Sequence, residues 1–145
     1  MKHLKIKKLD ENAVVPTRAT PGSAGLDLCA CTRTPIVIPA GGRAMVPTGL
    51  AIAIGDMGAV GLIFGRSGLG SKFGVAPSNC VGVIDSDYRG EIIIPLANHG
   101  EADFTVRHGE RVAQLLIVPI FTPEPLLCDE IDKTARGTGG FGSSG

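Results

Sequence analysis

Apolar and polar residues alternate along most of this chain in short runs, each closed by glycine or proline. Leu4, Ile6 and Leu9 interleave with lysines, the period-two signature of a half-buried strand. Residues 14–21 read as extended, with Pro16 and the Pro21-Gly22 pair as breakers. Small residues then lead into Leu26-Asp27-Leu28. Ile36, Val37 and Ile38 lie between Pro35 and Pro39, which predicts a short edge-type strand. Gly41-Gly42 turns the chain into a strand over residues 44–46, and Pro47-Thr48-Gly49 turns it again into residues 50–54. Residues 60–64 form another. Over residues 82–92 two apolar arms, 81–84 and 92–96, flank a polar turn, 86–90, the pattern of a β-hairpin.

No segment holds a 3.6-residue apolar stripe for three turns, so long helices are not expected. Residues 110–118 admit both periods. Val112, Leu115 and Leu116 suit one helical face, but β-branched Ile117-Val118 ahead of Pro119 favours a strand. With 21 glycines and 10 prolines in 145 residues, and 43% hydrophobic positions, the chain predicts many short strands joined by tight turns. One domain is expected over 1–145, a β core at about 3–128 with a C-terminal arm at 129–145.

Charge and cysteine content narrow the function classes. The 14 basic and 14 acidic residues cancel, so no global field favours a nucleic-acid backbone. Aromatics are 4% and tryptophan is absent, against a base-stacking platform. Cys29, Cys31, Cys80 and Cys128 show no Cys-x-x-Cys spacing, so neither zinc nor a disulfide framework is expected. Residues 1–8 are basic without an apolar signal core, and the longest apolar run, 115–121, is broken by Pro119. A soluble cytoplasmic protein with no membrane or nucleic-acid partner is the expectation.

Four stretches carry candidate chemistry. Asp27, between two leucines, is costly if buried unpaired. Local sequence favours a turn or strand-end carboxylate bonded to backbone over a metal or water contact. Gly65-Arg66-Ser67-Gly68-Leu69-Gly70-Ser71-Lys72 has the content of a phosphate loop, but Lys72 follows Ser71, unlike the Walker pattern. Its guanidinium fork, hydroxyl and glycine-freed amides suit a phosphate, although alone it reads as a glycine-rich turn with an exposed arginine. In residues 82–92, Asp85 and Asp87 flank Ser86, with Tyr88 and Arg89 following. That is either a pocket wall with a general base at its lip or a solvated tip. Residues 137–142 match Gly-x-Gly-x-x-Gly, but no strand precedes them and only three residues follow, which excludes a dinucleotide fold. Glycines around the lone Phe141 suit either an arm, mobile in the free protein, that closes over a flat ligand or a disordered tail.

Five segments stand in order: Ala24-Gly25-Leu26-Asp27-Leu28, Gly65-Arg66-Ser67-Gly68-Leu69, residues 82–92, Gly109-Glu110-Arg111-Val112-Ala113-Gln114-Leu115, and residues 136–145. Together they resemble the five motifs of the trimeric dUTPases, especially the bacterial ones, from about Thr17 to the end. The resemblance implies an all-β, jelly-roll-like barrel or sandwich with at most one short helix. It implies a homotrimer whose three active sites lie between subunits, one subunit giving the phosphate segments, a second the hairpin and a third the arm. It further implies hydrolysis of dUTP to dUMP and pyrophosphate, which keeps uracil out of DNA and supplies dUMP for dTMP synthesis.

Carried over by position, Asp85 is the general base for a water that attacks the α-phosphorus, and also contacts the sugar 3′-hydroxyl. Tyr88 packs under the deoxyribose and leaves no room for a 2′-hydroxyl. Backbone from Asn79 through Val83, Ile84 and Ile93 reads uracil. Arg66, Ser67, Gly68 and Gln114 hold the triphosphate. Arg136, Ser143 and Ser144 close on its γ end, and Phe141 stacks over the base. Mg2+ is implied, bridging the phosphates, with Asp27 reaching it through water or serving as support. Two departures stand out: Gly65 replaces a usual proline, and Ser143-Ser144-Gly145 replaces Ser-Thr-Gly. Two rival expectations are a nucleotide-dependent protein-binding module signalled by the arm, and a dCTP deaminase of the same fold class.

Overall fold

The computed structural model describes residues 3–140 and 142. In chain order they form β1 (Lys5–Lys8), β2 (Leu26–Cys29), β3 (Ile36–Ile38), β4 (Arg43–Pro47), β5 (Leu50–Ala53), β6 (Ala59–Phe64), α1 (Ser67–Phe73), β7 (Val75–Pro77), β8 (Gly82–Ile84), β9 (Ile93–Asn98), β10 (Phe104–Val106) and β11 (Arg111–Pro119). All pairings are antiparallel. The largest sheet runs β2-β11-β6-β8, a second runs β4-β9-β7, and β1-β5 and β10-β3 pair on their own.

These sheets close on one core. Leu28, Ile63, Val112 and Leu115 point in from the largest sheet, Val46, Val75, Ile94 and Leu96 from the second, and Ile38, Leu50, Ile52 and Val106 from the two pairs. Alternation on β9 shows how the pattern sets the face: Ile94 and Leu96 are fully buried while Ile93 stays exposed. The result is a β-sandwich of short strands with one short helix. No helix among the described residues is long and apolar enough to cross a membrane. The last strand ends at Pro119, and the described residues beyond it form neither strand nor helix.

Most of the strands expected from breaker spacing are present, including β3 between its two prolines and β11 as a strand. Two differences bear on function. The stretch 82–92 is not a paired hairpin. Its first arm, β8, pairs with β6, whereas its second, β9, pairs with β4 and β7 in the other sheet. The two arms therefore diverge and leave a cleft between them. The glycine-rich stretch after β6 is also not only a turn, since Ser67–Phe73 is helical. Gly74 ends that helix in the left-handed region at φ 68°, and its carbonyl accepts the His99 amide at 2.9 Å.

Asn98 joins the parts of the sandwich. It is 1% exposed, its Nδ2 donates to the Ile38 and Ala102 carbonyls at 2.9 and 2.8 Å, and its Oδ1 accepts the Gly100 amide at 2.9 Å. Asn98→Ala strands three polar groups at once. We expect a stability loss of about 2–4 kcal/mol in denaturant unfolding, against little change for an exposed polar substitution.

Candidate active site

The phosphate-loop stretch, β2 and β11 meet around Asp27. Its Oδ1 accepts Arg66 Nε at 2.9 Å and its Oδ2 accepts a terminal guanidinium nitrogen of Arg111 at 3.2 Å. Asp27 is therefore a mid-strand carboxylate held by two arginines, which corrects the expectation of a turn or strand-end group bonded to backbone. The pairing has a local cause. Between Arg111 and Ala113 the register of β11 against β2 shifts, so Arg111 faces Cys29 and Gln114 faces Asp27. Residues three apart on a regular strand point to opposite faces, and the bulge brings both onto the Asp27 face. Gln114 then donates from Nε2 to the Gly65 carbonyl at 2.9 Å, pinning the start of the phosphate-loop stretch.

A cavity of about 190 Å³ opens beside these groups, lined by Ser23, Gly25, Asp27, Arg66, Ser67 and Gln114 among others. Arg66 caps α1, and no acidic residue sits in its first turn. The first amides of a helix have no intrahelical acceptor, which leaves those of Ser67 and Gly68 available to an anion. Gly68 borders open space. Cys29 lies in the same face. Burial pushes its thiol up, the Asp27 carboxylate adds to this, and Arg111 and Arg66 oppose it, so it stays a neutral thiol rather than a nucleophile.

The second half of the site is the cleft between β8 and β9, also about 190 Å³, lined by Asn79, Gly82, Val83, Ile84, Ile93 and their neighbours. All four positions assigned by resemblance to base reading, Asn79, Val83, Ile84 and Ile93, lie there. Asp85 follows at the end of β8 with an exposed side chain. Its carbonyl accepts the Tyr88 amide at 3.1 Å, and the Tyr88 hydroxyl donates to the Glu91 carbonyl at 2.9 Å. Arg89, itself exposed, braces the loop by donating to the Ser86 and Tyr88 carbonyls at 2.8 Å each.

The two cavities share no lining residue. Arg136 lines neither; its Nε donates to the Gly139 carbonyl at 2.8 Å within the arm. Phe141, Ser143 and Ser144 lie outside the described residues. Ser23, Gly25 and Arg111 are site residues to which the sequence reading gave no role, although Gly25 and Arg111 stand in two of the five segments. For Arg111 the signals were its place in the fourth segment and its proximity to Gln114, and regular strand geometry argues against the second. Among the described residues no group of three or more His, Cys, Asp or Glu side chains forms a metal cage, and each Asp27 oxygen already takes an arginine.

A family model described as dUTPase matches residues 11–145. A deoxyuridine 5'-triphosphate nucleotidohydrolase of Desulfitobacterium hafniense is 46% identical over 149 aligned positions, covering 100% of this chain and 99% of that protein. One from Ectopseudomonas mendocina is 48% identical over 138 positions, covering 95% and 91%. Among solved structures, a point mutant of the Staphylococcus bacteriophage 80alpha dUTPase with dUpNHpp superposes with a TM-score of 0.90 at 30% identity, covering 100% of this chain and 99% of that one. A mutant dUTPase from phage phi11 of S. aureus, described with a coordinated structural Mg(II) ion, gives 0.82 at 27% identity, covering 91% and 100%.

Proposed function

This chain belongs to the dUTPase family and is a hydrolase, and we propose that it cleaves dUTP to dUMP and pyrophosphate by water attack on the α-phosphorus. The observation that carries this reading is the cleft of about 190 Å³ between β8 and β9, lined by Asn79, Gly82, Val83, Ile84 and Ile93, with Asp85 the next residue after β8. Fixed backbone donors and acceptors match the uracil edge and leave buried groups unpaired against cytosine. Crowding at C5 refuses the thymine methyl.

The chemical step follows from placement. Asp85 takes a proton from the water as its oxygen bonds to the α-phosphorus. The bond from that phosphorus to the bridging oxygen breaks, and pyrophosphate leaves with the electron pair. Tyr88 packs under the sugar and refuses a 2′-hydroxyl. Arg66 and Arg111 carry two positive charges against the single negative charge of Asp27. Each guanidinium has five N–H donors and spends one on the carboxylate, which leaves four on each for other acceptors such as a triphosphate. Ser67, Gly68 and Gln114 add neutral donors. Arg136, Phe141, Ser143 and Ser144 are proposed to close over the nucleotide from the arm.

Following the family resemblance, a whole site is proposed to combine the base cleft of one copy with the phosphate cavity of a neighbouring copy in a homotrimer; within one chain the two have no lining residue in common. Sedimentation at the mass of three chains is the expected result, and a monomer active on dUTP contradicts it.

Mg2+ is proposed to be held mainly by the substrate's phosphates, and Asp27 would act on the arginines rather than as its ligand. When bound, the ion neutralises phosphate charge. Chelation is therefore expected to lower turnover roughly tenfold or more while leaving the melting temperature of the nucleotide-free protein unchanged, since the described residues form no cage of three or more His, Cys, Asp or Glu side chains. A large fall in melting temperature contradicts this.

Pyrophosphate release measured against dUTP, UTP, dCTP and dTTP tests the whole reading. Release from dUTP alone is expected. Equal rates on UTP defeat the role of Tyr88, and ammonia release from dCTP establishes a deaminase instead.

A further inference from the structure

The loop that carries Asp85 and Tyr88 stands on the turn between β4 and β5. The two residues of that turn and the first residue of β5 grip two at the loop's base. The Gly49 amide donates to Glu91 Oε1 at 2.7 Å, the Thr48 hydroxyl and amide donate to the Ile92 carbonyl at 2.6 and 3.3 Å, and the Ile92 amide donates to the Leu50 carbonyl at 2.8 Å. Thr48 is fully buried and Ile92 is 1% exposed, so this pedestal is anchored in the core.

Gly49 is what lets the turn present its amide. It sits at φ 67°, and a Cβ there would lie 2.9 Å from the Ala13 Cβ and 3.0 Å from the Cys31 sulfur. Its carbonyl accepts the Leu9 amide at 2.7 Å. The turn is thus clamped between the chain's first loop and Cys31, two residues beyond β2, with its N–H left for one acceptor. Glu91 supplies that acceptor with its side chain while its own carbonyl receives the Tyr88 hydroxyl at 2.9 Å. One residue therefore connects the rigid core to the ring that faces the sugar. Charge-assisted bonds of a carboxylate to a backbone amide are among the stronger ones available.

We propose that Glu91 is a positioning residue: through its bond to Gly49 it fixes the height of Tyr88 and so sets the discrimination against ribonucleotides. The inference rests on the dUTP reading and adds a residue that touches neither water nor phosphate. A ring released from this anchor moves away from the sugar and opens the space a 2′-hydroxyl needs. Displacements of about 1 Å at a reacting geometry cost up to roughly a hundredfold in rate. The effect on selectivity arises because the lost contact is worth more with deoxyribose than with ribose.

The test compares Glu91→Ala and Glu91→Gln with the wild type. Glutamine keeps a carbonyl oxygen that accepts the Gly49 amide, and alanine does not. For Glu91→Ala the ratio of kcat/KM on dUTP to that on UTP should fall about tenfold or more, while Glu91→Gln stays within about threefold of the wild type. A second readout needs no turnover. Tyr88 is the only tyrosine and there is no tryptophan, so tyrosine emission reports this ring alone. Its emission anisotropy should drop in Glu91→Ala and persist in Glu91→Gln. An unchanged ratio and anisotropy in Glu91→Ala overturn the inference, as does a glutamine variant as damaged as the alanine one. Wild-type protein that treats dUTP and UTP alike overturns the dUTP reading itself, whatever the variants do.

Discussion

Asp85→Asn should lower kcat on dUTP by about a thousandfold, within the range that removal of a positioned general base costs, while nucleotide binding changes little. The size follows from the step being asked of the residue. Asparagine has the shape of aspartate but no lone pair basic enough to take a proton from water at neutral pH. A thousandfold corresponds to about 4 kcal/mol of lost transition-state stabilisation. The fold should not notice the change. Asp85 is exposed, and among the described residues its carboxylate has no hydrogen-bond partner. The turn uses only its carbonyl, which accepts the Tyr88 amide at 3.1 Å. Unfolding free energy is therefore expected to stay within about 0.5 kcal/mol. Equilibrium binding of a non-hydrolysable dUTP analogue, measured beside single-turnover rates, separates the two effects. Retained turnover means that another group takes the proton.

Asp27→Ala is expected to act through the opposite route, weakening binding and turnover together. Its carboxylate is the common acceptor of Arg66 and Arg111, with side chains 16%, 25% and 51% exposed respectively. Without it, two guanidiniums stand together with no counter-charge and no fixed direction. Like charges then repel and the donors proposed to hold the phosphates are scattered. We expect kcat/KM on dUTP to fall roughly a hundredfold, as for other losses of preorganised geometry. The stability cost should be only about 1–2 kcal/mol, because water screens the partly exposed arginines. Asp27→Asn, which keeps one acceptor oxygen, should fall between. If Asp27→Ala raises KM no more than Asp27→Asn does, shared anchoring is not what Asp27 provides.

Much of the fold was legible because breakers bracket its strands. Pro35 and Pro39 delimit β3, and Pro119 closes β11, where β-branching correctly outweighed a possible helical face. The site was legible as five ordered segments, yet not as geometry. Alternation marks which residues enter strands but says nothing about their partners. So residues 82–92 read as a hairpin, although β8 joins β6 and β9 joins β4 and β7 across the sandwich. The short helix after β6 was hidden by Gly68 and Gly70, whose low helix propensity is overridden by the cap at Gly74 and its bond to His99. Arg111 was missed for a sharper reason. A bulge is one residue long, leaves no mark in hydrophobic period, and reverses which side chains share a face. Asp27 was misplaced with it, since its true partners lie 39 and 84 residues away.

The attack on the α-phosphorus by water is open to a direct isotopic test. Hydrolysis of dUTP in heavy-oxygen water should place one labelled oxygen in dUMP and none in pyrophosphate. Label appearing in pyrophosphate places the attack at the β-phosphorus and contradicts the mechanism.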